Sequence, residues 1–289
     1  MEILNKKSSQ NIKNRPPKTP LWRKLLSKVS FVLLVPIISF TILFAVLFTI
    51  TEERQAKDTL TLIIASAFSQ KGLDDETEII EIKNKMDLAG VDKFVPIDGV
   101  MVEISRRDIE ELSPRDLRLK IFAEIANLLY SQDEQEINRT ITNDEIKKGL
   151  ENAGFLGVIS KNGHKETEKL FSYALLLACL VGAVVYSLNK GLDRLKVPAK
   201  AVLFGSLPGL LISFLLKMLL SQPSPVSISG DSQAANILSN MINSALPQTI
   251  DIFLRTYLWV FITSASVYIG ILIYKFWNKL FARRVNISE

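Results

Sequence analysis

Four long apolar runs constrain this chain more than any other feature of its sequence. The runs are Phe31–Ile50, Leu170–Leu188, Ala201–Leu220 and Phe253–Tyr274. Their only charged residues are Lys217 and Arg255, near the ends of the third and fourth runs. An apolar helix of about 20 residues crosses the hydrocarbon core, and lipid admits only helices and closed barrels as spanning structures. Since no strand-like alternation is present, the sequence predicts an integral membrane, mainly α-helical protein with four transmembrane helices.

The composition agrees with this interpretation. Apolar residues make up 48% of the 289-residue chain and charged residues 22%, and the two classes lie in different segments. This separation excludes a disordered chain, a collagen and a disulfide-rich secreted domain. The chain has one cysteine, Cys179, and one histidine, His164. These counts exclude an intrachain disulfide and a zinc site built mainly from Cys and His, so we expect no metal and no cofactor.

The charges between the runs alternate in sign. Residues 1–30 carry eight Lys/Arg and one acid, and 189–200 and 275–289 are also basic. Residues 51–169 carry 17 bases against 25 acids, and 221–252 contain two acids and no base. Because basic flanks stay in the cytoplasm, we expect both termini inside and 51–169 outside. The basic charge therefore fixes topology, and we expect no nucleic-acid partner.

The first run resembles a signal peptide only superficially. Its 20 apolar residues exceed the 7–15 of a cleaved signal, and no A-x-A site follows. We interpret it as an uncleaved signal anchor of a multi-pass protein in the cell membrane, and we expect a bacterial plasma membrane.

These features divide the chain into nine segments, namely four spans and five flanking segments that are expected to lie alternately inside and outside. They are a cytoplasmic arm (1–30), span 1 (31–50), an extracytoplasmic α-rich domain (51–169), span 2 (170–188), a cytoplasmic loop (189–200), span 3 (201–220), an extracytoplasmic loop with an amphipathic helix (221–252), span 4 (253–274) and a cytoplasmic tail (275–289).

The 51–169 domain is predicted to be mostly helical with one hairpin. A helix over 52–70 continues out of span 1 and ends near Gly72, and an acidic stretch at 74–81 reads as a solvated loop. Asp98-Gly99 joins the β-prone runs 94–97 and 100–104, which favours a type I′ hairpin. Pro96 assigns the first of these strands to a sheet edge.

The clearest helix of the domain begins at Ser113-Pro114, a favoured N-cap followed by a favoured N1 residue. An apolar stripe then recurs at helical spacing, at Leu117, Ile121, Ile125 and Leu128. We name these four residues as interface candidates, which are covered either by the domain's own hairpin or by a partner. Thr142-x-x-Glu145 predicts a second helix, with Gly154 near its end.

The 221–252 segment contains a Ser/Pro-rich linker followed by an amphipathic helix. Its apolar face is Ile237, Leu238, Met241, Ile242, Ala245 and Leu246. The polar face has no basic residue, which favours packing beneath the domain over lying on the outer leaflet.

Small residues at four-residue spacing occur in three of the spans. They are Ala174, Ala178 and Gly182 in span 2, Gly205 and Gly209 in span 3, and Ser266 and Gly270 in span 4. Such rows let helix backbones approach closely, so we expect helix packing there, within one chain or between copies.

Few residues are candidates for chemistry. His164 lacks a nucleophile motif nearby and reads as a surface residue, and Cys179 lies among apolar neighbours. Lys217 and Arg255 are expected to extend to the outer headgroups, with an ion pair to Asp251 as the alternative. Pro208-Gly209 is the one candidate for a break in a span.

These observations favour a non-enzymatic membrane protein. In this hypothesis the extracytoplasmic domain binds a partner, in an assembly, scaffold or sensing role. One alternative is a permease or transport subunit that uses the bundle, although the spans contain no acid. The other is a membrane enzyme, although no nucleophile–base pair is recognisable. The expected partners are the lipid bilayer and a protein, or a second copy through the small-residue faces.

Overall fold

The computed structural model describes residues 20–69, 73–95, 102–131, 157–221 and 233–285. These residues form eight α-helices and one two-stranded sheet. The helices are α1 (Leu21–Thr51), α2 (Glu53–Phe68), α3 (Thr77–Ala89), α4 (Arg106–Glu111), α5 (Pro114–Ser131), α6 (Lys161–Leu188), α7 (Asp193–Leu220) and α8 (Gln233–Val285), and the strands are β1 (Lys93–Phe94) and β2 (Ile104–Ser105).

Four helices are long and apolar enough to cross a membrane. They are α1, α6, α7 and the Ala245–Leu280 part of α8, and each contains one of the predicted runs. The prediction of a mainly helical, multi-pass membrane protein is therefore confirmed. All four helices extend beyond the apolar runs, because hydropathy marks only the length that lipid covers, whereas backbone hydrogen bonding continues into polar sequence.

Helix α1 contacts all three of the other membrane-length helices. Its buried apolar residues recur every four positions, at Leu34, Ile38, Ile42, Val46 and Ile50. This stripe packs against α6 and α7, and α7 packs along α8. The outward faces of α6, α7 and α8 expose large apolar side chains, as expected for helices surrounded by lipid.

A second core lies between α1 and α6 in sequence, within the predicted 51–169 domain. Helices α2 and α5 form its centre, with Leu60 and Ile64 of α2 facing the apolar stripe of α5. Helix α5 begins where the sequence predicts, because the Ser113 hydroxyl accepts a hydrogen bond from the Asp116 amide at 3.1 Å. The antiparallel sheet pairs Lys93 with Ser105 and Phe94 with Ile104.

Helix α3 corrects the interpretation of residues 74–81 as an acidic loop. The chain becomes helical at Thr77, after a hydrogen bond from the Thr77 hydroxyl to the Asp75 carboxylate, and Gly90 ends the helix at a φ of 62°. The predicted features at Gly72, Pro96, Asp98-Gly99, Thr142-x-x-Glu145 and Gly154 lie outside the described residues.

A capping box connects the sheet to α4. The Asp108 carboxylate accepts hydrogen bonds from Lys120 and from the amide and hydroxyl of Ser105, and these interactions lower its pKa to about 2. Its stabilisation is therefore present above the ordinary aspartate pKa and is lost as the pH falls towards 2.

We expect Asp108→Asn to lower the thermal midpoint of the domain at pH 6. At pH 2 the difference from wild type should be much smaller, because the wild-type carboxylate is then about half protonated and most of its stabilisation is lost. Circular dichroism melting of the detergent-solubilised chain at several pH values measures the thermal midpoint. The same substitution at Asp116, an exposed residue in the first turn of α5, serves as the comparison. A difference between variant and wild type that is constant with pH would contradict the proposed cause.

Candidate functional site

The candidate functional site is the junction between the core of the 51–169 domain and the bundle of membrane-length helices. Helix α1 ends at Thr51, and the backbone at Glu52 is extended, with φ −55° and ψ 138°. Helix α2 starts at the next residue. The predicted continuous helix out of span 1 is therefore wrong: one residue separates two helices, and α2 turns to bury its apolar face against α5.

His164 joins the two chain segments that enter the domain. Its Nδ1 lies 3.0 Å from the Thr51 hydroxyl, and its ring stacks on Phe48 with centroids 4.8 Å apart. The residue is half-buried, so its interpretation as a plain surface histidine is wrong. Helix α6 is continuous from Lys161, with Ser160 as its N-cap, so the end of the 51–169 segment runs directly into span 2.

Tyr130, at the end of α5, connects the domain core to the end of α1. Its hydroxyl donates to the Thr51 carbonyl oxygen at 3.4 Å, and Lys57 lies 5.6 Å from its ring centroid. Lys57 also pairs with Glu53 at 2.6 Å. Burial, followed by the nearby carboxylates of Glu53 and Glu52, raises the pKa of Tyr130 and keeps the hydroxyl protonated as a donor.

Helix α8 supports the domain from a third side. It reaches beyond its apolar span and packs against α2 as well as α7. The predicted amphipathic helix of the 221–252 segment is thus the beginning of α8, continuous with span 4. Because α2 contacts α8 and Tyr130 of α5 bonds to the end of α1, the domain core is attached to α1 and α8, and His164 of α6 contacts the same end of α1.

The α5 stripe lies inside this core. Leu117, Ile121 and Ile125 belong to the core that α2 and α5 share, and Leu128 is buried as well. None of the four is accessible to a partner.

The apolar residues that the domain does expose include Ile80 and Leu88, which lie two turns apart on α3, and Val91 just after it. Leu88 is 89% exposed.

The small-residue row of span 2 borders α1. Ala174, Ala178 and Gly182 are half-buried, and the Thr41 hydroxyl of α1 donates to the Ala174 carbonyl at 3.2 Å. A side chain added at Gly182 would nevertheless meet open space. The close approach on this face therefore does not depend on the absence of a side chain at Gly182.

Both glycines of span 3 lie at tight contacts with a neighbouring helix, whereas the small residues of span 4 do not. A Cβ at Gly205 would lie 2.9 Å from Ile38 Cγ2 and 3.0 Å from the Val35 carbonyl, and one at Gly209 would overlap the Tyr257 ring. Ser266 and Gly270 face outwards, with open space at Gly270. Packing through that pair requires a second copy of the chain.

Helix α7 is continuous through Pro208 and Gly209, so these residues do not interrupt the span. The discontinuous helix on which an ion site could be built is therefore absent from α7. Gly209 instead accommodates an aromatic ring of α8, a role that depends on the facing residue and that the sequence of span 3 alone does not reveal.

Ion pairs connect α7 and α8 at both ends. Lys217 pairs with Asp251 at 2.7 Å, which is the alternative that the sequence left open, and Asp193 pairs with Lys275 at 2.6 Å. Both pairs are partly exposed. Near the latter end, the Arg23 guanidinium donates to the last carbonyls of α6, at Ser187 and Leu188.

Within the described ranges, no cluster of three or more His, Cys, Asp or Glu residues could hold a metal ion. Cys179 is exposed on α6. No family model, curated protein or solved structure matches this chain.

Proposed function

We propose that this chain is a non-enzymatic membrane protein whose extracytoplasmic domain binds a protein partner in an assembly, scaffold or sensing role. The observation that carries the proposal is the attachment of the domain core at two points, through the Tyr130–Thr51 hydrogen bond and the contact of α2 with α8, while His164 holds Thr51 in place. A domain on flexible tethers samples many orientations. One that is attached in this way presents a single face in a fixed pose above the membrane.

The partner surface is proposed to be the exposed face of α3. Ile80 and Leu88 are 53% and 89% exposed, although both are large apolar residues. A contiguous exposed apolar patch favours contact with another protein, and we propose that Ile80, Leu88 and Val91 form such a patch. The stripe of α5 is not proposed for this role, since it is buried.

A photo-crosslinking amino acid at Leu88 tests this surface in the native membrane of the source cell. We expect one discrete protein adduct, which is lost when Ile80→Asp is added. The matched control carries the crosslinker at Glu124, an exposed position on α5. The same adduct from Leu88 and Glu124, or no protein adduct from Leu88, would overturn the proposed surface.

The proposed orientation places both termini in the cytoplasm of a bacterial cell, from the alternating charge of the flanks. We expect a reporter fused after Glu289 to be active in the cytoplasm, and one inserted near Glu134 to be active outside. Paired reporters of opposite compartment requirement measure both positions. Cytoplasmic activity at Glu134 would reverse the orientation and remove the extracytoplasmic domain from the proposal.

A further inference from the structure

Two arginines from different helices meet at the last turn of α6, where the second apolar run ends. Arg23 of α1 donates from Nε to the Leu188 carbonyl at 3.1 Å and from Nη2 to the Ser187 carbonyl at 2.9 Å. Arg194 of α7 donates from Nε to the Asn189 carbonyl at 3.1 Å. Because the three carbonyls belong to consecutive residues, both guanidinium groups are held at the same short stretch of backbone. We call Arg23 and Arg194 the arginine pair.

The carbonyl end of α6 offsets only part of the charge of the arginine pair. A helix C-terminus carries about half a negative elementary charge, whereas the pair brings two positive charges. Among the described residues, no carboxylate lies within ion-pair distance of either guanidinium group. Asp193, which precedes Arg194, pairs with Lys275 at 2.6 Å instead. The pair therefore carries an excess positive charge that favours an anion.

Most of the hydrogen-bond donors of the arginine pair are unused. A guanidinium group has five N–H donors, and the bonds to α6 and Asn189 use only Nε and Nη2 of Arg23 and Nε of Arg194. Within the described part of the chain, neither group makes a further hydrogen bond. Both Nη atoms of Arg194 are thus available, and such an edge matches two oxygens of one phosphate. The unused donors therefore suit a phosphate group.

Aromatic rings indicate that the arginine pair lies at the level of the lipid headgroups. The Tyr186 ring centroid is 5.4 Å from Cζ of Arg194, and Trp22 directly precedes Arg23. Tyr186 and Trp22 are 45% and 64% exposed, as expected for rings at a membrane–water interface. Since Leu188 also ends the second apolar run, the anion that meets the pair at this depth is a lipid phosphate, and not a nucleic acid or a soluble acidic protein.

We propose that Arg23 and Arg194 bind the phosphate of an anionic phospholipid at the end of α6. The acyl chains lie along the outward face of α6, which exposes apolar side chains such as Val184. Phosphatidylcholine has the same phosphate but adds a choline cation, which is disfavoured beside Lys24 and Lys190, the basic neighbours of the pair in sequence. The site lies at the opposite end of α6 from the domain, so it does not depend on the proposed partner surface.

The test is native mass spectrometry of the full-length protein in mild detergent, titrated separately with phosphatidylglycerol and phosphatidylcholine of the same acyl chains. We expect the wild type to bind the first phosphatidylglycerol molecule about five-fold more tightly than phosphatidylcholine. Arg194→Gln should lower the affinity for this phosphatidylglycerol molecule by about ten-fold, the effect of one hydrogen bond to a charged group. Arg194→Lys keeps the charge but not the planar edge, so it should recover only part of this affinity.

Lys279→Gln is the matched control, because it removes one exposed cation from the same end of the bundle but outside the arginine pair. We expect it to change the affinity by less than about two-fold, since charges separated by solvent are screened. Arg23→Gln tests the other half of the pair and should also weaken binding. It removes the bonds to α6 as well, so its thermal midpoint is measured in parallel, and the exposed Arg194 decides the outcome if Arg23→Gln fails to fold.

Three results would overturn the proposal. The first is equal affinity of the wild type for the two lipids. The second is an equal loss of affinity in Arg194→Gln and Lys279→Gln, which would assign the preference to net charge alone. The third is competition by inorganic phosphate as effective as that by phosphatidylglycerol, which would assign the arginine pair to a free anion.

Discussion

Replacing Gly209 with leucine is expected to destabilise the bundle by about 3 kcal/mol, at the upper end of the usual range for overpacking. The first side-chain atom alone would overlap the buried Tyr257 ring. Relief requires α7 and α8 to separate or the ring to leave its site, and either change disrupts the contact between these helices. The thermal midpoint and the yield of folded monomer in mild detergent measure the effect.

Two other glycines provide matched controls for this substitution. Gly182→Leu and Gly270→Leu introduce the same side chain into open space, and we expect both to stay close to wild type. Adding Tyr257→Ala to Gly209→Leu should recover part of the lost stability, because it removes the ring that the leucine meets. Equal destabilisation by leucine at all three glycines would show that the contact with Tyr257 is not the cause, because helix propensity alone favours leucine over glycine.

The spacing of small residues predicted where helices approach, but it could not distinguish the tight contacts from the open ones. Gly209 and Gly182 occupy similar patterns in the sequence. The difference between them comes from the facing helix, since α8 places a tyrosine opposite Gly209. Register between helices is a tertiary property, and no pattern within one span contains it.

The apolar runs were predicted from the sequence because lipid imposes one requirement, an uninterrupted apolar length, on every span. The first residues of the helices were not predicted, because the helices that begin at Leu21, Lys161 and Gln233 start in polar sequence. Helix α3 was missed because its charged residues dominate the composition. Its signal was Ile79, Ile82 and Met86, which recur at helical spacing and pack towards the domain interior.

The junction could not be predicted from local sequence. The break at Glu52 falls within a stretch that reads as one helix, and its cause is the burial of α2 against α5, which lies about 60 residues further along the chain. The contact between Thr51 and His164 likewise joins positions that are far apart in sequence. Only the fold brings these groups together.

Leu117→Ala is expected to lower the free energy of unfolding of the domain by about 2–5 kcal/mol, as for other leucines truncated in a closed core. Leu117 is 1% exposed and belongs to the core that α2 and α5 share. Had this stripe been a surface for a partner, the same substitution would leave the isolated protein unchanged. Limited proteolysis of the domain in detergent, followed over increasing denaturant, measures the loss.

The matched substitution is Leu88→Ala, which removes the same atoms from a residue that is 89% exposed. We expect its effect on stability to stay within about 0.5 kcal/mol, as for most surface positions. It should instead weaken the crosslinked adduct proposed for α3, whereas Leu117→Ala should lower the amount of folded protein. Similar destabilisation by both variants would place Leu88 in a core contact and would leave the domain without the partner surface that we propose.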